Sequence, residues 1–76
     1  ATSVTIYGSD TNNTVEVFEA DVNLSGLTDK TPGGGCVVGT ACNFTDVEFN
    51  NDNYLAIRVS VTATSDIIYG GHVTII

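Results

Sequence analysis

The sequence predicts an all-β fold: a small antiparallel β-sandwich or Greek-key barrel of about six or seven strands with one disulfide. Three observations carry that prediction. Apolar residues recur at every second position over much of the chain, the intervening segments are built from Gly, Asn, Asp and Ser, and no stretch shows the i, i+3, i+4, i+7 stripe of an amphipathic helix. Such alternation gives each strand one face to bury and one to wet, and two sheets that bury those faces against each other solve the problem in few residues.

The first predicted strand is "SVTIY", Ser3 to Tyr7, followed by "GSDTNN" with the residues a turn needs. The second is "TVEVFEADV", Thr14 to Val22. Its alternation slips at Phe18, where Phe18, Ala20 and Val22 take over the apolar phase from Val15 and Val17, so a bulge or a crossing between sheets is expected there. From Asn23 to Gly35 periodicity is lost, which predicts a long surface loop closed by "TPGGG". After the cysteines, "FTDVEF" predicts a strand with Val47 and Phe49 as its core pair, and "NNDN" predicts a turn.

The longest alternating run is "YLAIRVSVTAT", Tyr54 to Thr64, with Leu55, Ile57, Val59, Val61 and Ala63 on one face. Ser65 and Asp66 read as a tight turn. "IIYGGHVTII" then predicts a strand paired with that run as a hairpin, and Gly70 and Gly71 mark a bulge or bend within it.

Residues 1–76 make a single domain, and so short a chain buries a modest fraction of its surface and gains from a staple. Cys36 and Cys42 are the chain's only cysteines and enclose "VVGTA". That spacing fits neither a paired zinc motif nor Cys-x-x-Cys, so a structural disulfide is expected, worth about 2.4 kcal/mol in the loop-entropy model. The triple glycine before it lacks the lysine and helix start of a phosphate loop and reads as reach for the clasp.

Nine acidic residues stand against Lys30 and Arg58, for a net charge of −7. A surface so poor in cations argues against nucleic acid and anionic membranes as partners, and no apolar run approaches the roughly 20 residues a helical span needs. The absence of any methionine, the start at Ala1, the cysteine pair, the abundance of Ser, Thr and Asn, and sequons at Asn12, Asn23 and Asn43 together suggest a mature secreted or cell-surface chain, with those three asparagines as candidate glycosylation sites.

Chemistry-bearing residues are scarce. His72 is the only histidine, opposite in phase to Val73 and Ile75, and no serine sits in a nucleophile-elbow pattern, so no catalytic residues and no cofactor are expected. Asp10 and Asp52 lie in Asn-rich turns and are the only weak calcium candidates, while Asx turns explain both stretches without a metal.

The function expected is that of a non-enzymatic extracellular β-domain, a structural or self-assembling subunit that pairs with further copies or another extracellular protein. Its assembly edge would be His72, Val73, Thr74, Ile75 and Ile76, an apolar terminal strand without charged gatekeepers. The alternative is a small secreted binding protein (an inhibitor, toxin or effector) that presents the disulfide-clasped loop through Val37, Val38 and Thr40. A lone binder would be expected to offer an anchor cluster of Trp, Tyr or Arg, and the chain has no Trp, one Arg and three Tyr.

Overall fold

The computed structural model describes residues 1–23, 25–31 and 33–75, so Ile76 of the expected edge lies outside the described residues. Seven strands follow in order: β1 (Ser3–Gly8), β2 (Thr14–Asp21), β3 (Leu27–Asp29), β4 (Cys36–Val37), β5 (Cys42–Asn43), β6 (Asn53–Ser60) and β7 (Ile68–Thr74). All pairings are antiparallel and they build two sheets. In the first sheet β1 lies between β5 and β7. In the second, β6 covers one whole edge of β2, and β3 and β4 share the other edge end to end.

Alternation decides what lies between the sheets. Val4 from β1 and Val15 and Val17 from β2 are fully buried, joined by Cys42 from β5 and by Val38 and Val47 from the connections. The disulfide joins Cys36 to Cys42 with a Cα separation of 5.6 Å.

Several expectations are corrected. Pairing of β2 with β6 runs unbroken from Thr14 opposite Ser60 to Asp21 opposite Asn53, so no bulge or crossing occurs at Phe18. The phase change arises because both faces of β2 are covered. On the outer face the Arg58 guanidinium lies 5.3 Å from the Phe18 ring centroid, and Glu16, directly across the strands, holds it at 2.6 Å.

The expected C-terminal hairpin does not form either: β6 ends at Ser60 and β7 joins the other sheet. Thr62 is drawn away by Asn13, whose buried side-chain oxygen accepts its N–H, and Asp66 accepts the Ala63 N–H while closing a turn back to the Ala63 carbonyl. The segment after β6 therefore wraps the β1–β2 turn, and the chain emerges beside β1.

"FTDVEF" is irregular. Phe44 and Val47 donate their N–H groups to the carbonyls of Thr2 and Ala1, Val47 is buried, and Phe49 is left half exposed. Within the expected long loop, Leu27–Asp29 form β3, a strand whose three side chains are all exposed. The Gly70–Gly71 irregularity is present as a bulge: Tyr7 faces Gly70 and Gly8 faces Ile68, which leaves Tyr69 unpaired. A Cβ on Gly71 would fall 2.2 Å from the Thr5 carbonyl oxygen, so β7 can approach β1 this closely only with glycine there.

Candidate assembly edge and groove

The two long flanks of the sandwich differ. On one, Cys36 stands opposite Val15 in the second sheet and Cys42 opposite Val4 in the first, so the disulfide ties the sheets together. The five residues between them cross the gap, with Val38 donating its N–H to Asn13 and Gly39 to Ile6, one tie to each side of the β1–β2 turn. Val38 is buried, which turns the clasped loop into a wedge and leaves only Val37 and the residues around Thr40 exposed.

On the other flank β6 and β7 are both edges, in different sheets, and among the described residues no strand pairs with their outer sides. A groove of about 240 Å³ opens between them, lined by Val4 and Ile6 of β1, Ile57 of β6, and Ile68, Gly71 and Val73 of β7. Ile57 belongs to the inner face of its sheet, opposite Val17, yet is 39% exposed because no strand covers it. Ile68, Tyr69, Val73 and Ile75 are exposed along the same rim. From Ile67 to Ile75 the chain carries no Asp, Glu, Lys or Arg.

His72, Val73 and Thr74 of the expected edge are thus on the outermost strand of the first sheet, with exposed Ile75 just beyond it. Val73 and His72 both border the groove, and the His72 ring also meets the Tyr7 ring at 5.8 Å between centroids. Sequence alternation located this strand. It did not reveal the groove, because Ile57 comes from the other sheet.

The remaining candidates are dispersed. Asn12, Asn23 and Asn43 are all exposed, in the β1–β2 turn, after β2 and on β5 respectively. Asp10 and Asp52 are not brought together. Asp10 accepts the Asn12 N–H and the Thr62 hydroxyl, and Asp52 donates its N–H to the Asn50 side chain at the far end of β6. Among the described residues no three His, Cys, Asp or Glu side chains are grouped to hold a metal ion, and no helix is long and apolar enough to cross a membrane.

A polar cluster was missed altogether. Glu19 of β2 meets Lys30, which follows β3, at 3.5 Å, and accepts a hydrogen bond of 2.9 Å from Asn53 of β6. Nothing in the local sequence signals it, since the three residues meet only through strand register. Beside it, hydrogen bonds from the Thr31 hydroxyl and then the Thr31 N–H hold the Asp29 carboxyl below the ordinary aspartate range, against a small opposing effect of desolvation and with help from the Arg58 charge.

Comparison with known proteins finds no matching family model, no similar curated protein and no similar solved structure.

Proposed function

We propose that this domain is an extracellular structural subunit that self-associates by adding strand to strand at β7. The observation that carries the reading is the unsealed flank: an edge strand with free backbone groups beside an apolar groove whose lining comes from both sheets. The inter-sheet disulfide supports an oxidising compartment for such a chain.

Charge favours a second copy as the occupant. Two molecules of net charge −7 repel each other over most of their surfaces, and the stretch from Ile67 to Ile75 is where that repulsion is weakest. The bulge at Tyr69 bends the start of β7 and leaves the straight edge at Gly71–Thr74, which is where a neighbouring β7 can run alongside.

Light scattering across a concentration series tests this. Defined oligomers are expected for the native chain, and Tyr69→Lys and Ile75→Lys, both at exposed positions, are expected to give monomers with an unchanged circular dichroism spectrum. A strict monomer at every concentration would overturn the proposal. Truncating Thr74 is a poorer test, since Thr74 pairs with Ser3 and accepts the Thr2 N–H.

A further inference from the structure

Given the self-association proposed above, on which this inference rests, the direction of the backbone groups along β7 fixes how two copies can meet. The Thr2 and Ile6 carbonyls accept the N–H groups of Phe44 and Gly39 on the side of β1 away from β7, whereas Ser9 donates its N–H to Ile67 on the β7 side. Backbone groups alternate in direction along a strand, so Thr5 and Tyr7 are the residues that bond to β7, where they stand opposite His72 and Gly70. By the same alternation the N–H and C=O groups of Gly71 and Val73 point out from the edge, where among the described residues no strand meets them.

Two outward residues determine one symmetric pairing. A second β7 running antiparallel engages all four groups only when Gly71 lies opposite the partner's Val73 and Val73 opposite the partner's Gly71, which puts the two-fold axis at His72. Side chains agree with this register. Gly71 and Val73 both border the groove, and the position without a side chain leaves room for the partner's Val73. Exposed Ile75 comes alongside the partner's Tyr69, which is equally uncovered in the single chain, so an apolar pair closes each end.

At the axis His72 meets the partner's His72 as a directly opposed pair with no backbone bonds between them, the kind whose Cα atoms come within about 4.5 Å. Facing the imidazole from β1 are Thr5 and the Tyr7 ring, from β6 the groove receives Ile57, and β7 itself adds Tyr69 but no Asp, Glu, Lys or Arg between Ile67 and Ile75. Among the described residues no ion pair reaches His72. Two imidazolium charges at the axis therefore have no carboxylate to offset them.

We infer that β7 pairs with its copy antiparallel about His72 and that protonation of the two facing imidazoles separates the copies. Histidine is the side chain whose charge ordinarily changes between about pH 8 and pH 5. Two effects of that change compete. Each proton makes a copy one unit less negative than −7, which eases the general repulsion, but the acidic groups are spread over a globule of 36 × 26 × 22 Å and are mostly screened beyond about 8 Å at physiological salt. The facing imidazoles lie within that length, so their repulsion decides the sign.

Size-exclusion chromatography with light scattering on the full chain, over a concentration series at about pH 8 and about pH 5.5, tests this. The dissociation constant of the dimer is expected to rise roughly tenfold at the lower pH. His72→Gln is expected to associate equally at both, and His72→Cys to form an interchain disulfide under mild oxidation, since only a residue at the axis lies close enough to pair with its own copy. Association indifferent to pH, a pH response that survives in His72→Gln, or failure of His72→Cys to cross-link would overturn the inference while leaving assembly at β7 standing. Monomers at both pH values and every concentration would overturn both. Circular dichroism of each variant at both pH values separates these outcomes from unfolding.

Discussion

Cys36 and Cys42 are six positions apart and lie in different sheets, one opposite Val15 and the other opposite Val4. Their bond restrains how the sheets pack as well as a short loop. Replacing both with alanine is expected to lower stability by about 2–4 kcal/mol, read from urea unfolding. Hydrogen exchange should accelerate first in β4 and β5, where each strand has only two paired residues. An unchanged midpoint would mean that buried Val38 alone holds the sheets together on that flank.

Val38 and its neighbours separate wedge from display. Val38→Ala removes buried methyl groups and should cost about 1–3 kcal/mol, whereas Val37→Ala and Thr40→Ala, at exposed positions, should each stay within about 0.5 kcal/mol. Equal effects at Val37 and Val38 in thermal melts would contradict the placement of the loop.

Acid should act at the end of β3. Because the Asp29 pKa is lower in the folded chain than in the unfolded one, its contribution is present above the unfolded value and is lost as pH falls through the folded value. In an NMR titration Asp29 is expected to titrate below the ordinary aspartate range, and Thr31→Val should move its midpoint upward by removing the leading hydrogen bond. A midpoint that ignores Thr31→Val would refute this account.

The strands legible in the sequence are those with side-chain alternation. β1, β2, β6 and β7 each present buried or groove-facing residues at every second place; β1, β2 and β7 emerge close to the expected bounds, whereas β6 stops at Ser60, short of the expected Thr64, and leaves Val61 and Ala63 exposed. β3 was illegible because Leu27–Asp29 bury nothing and are held by backbone pairing to β2. Sheet membership was illegible too: β6 and β7 adjoin in sequence and read as a hairpin, but the Asn13 and Asp66 side chains route the chain between them around another turn. The same blindness hid both sites. The groove needs Ile57 beside Val73, and the Glu19 cluster needs Lys30 and Asn53 on opposite neighbours of one strand.

The order in which the strands are made follows from the pairing of Ser3 with Thr74. As the chain leaves the ribosome the second sheet can assemble once β6 is complete, while β1 has only the two residues of β5 for a partner. Until β7 arrives, Val4 and Ile6 line an uncovered edge. Pairing of β1 with β7 therefore rests on contacts between residues far apart in sequence, the kind of contact that slows folding.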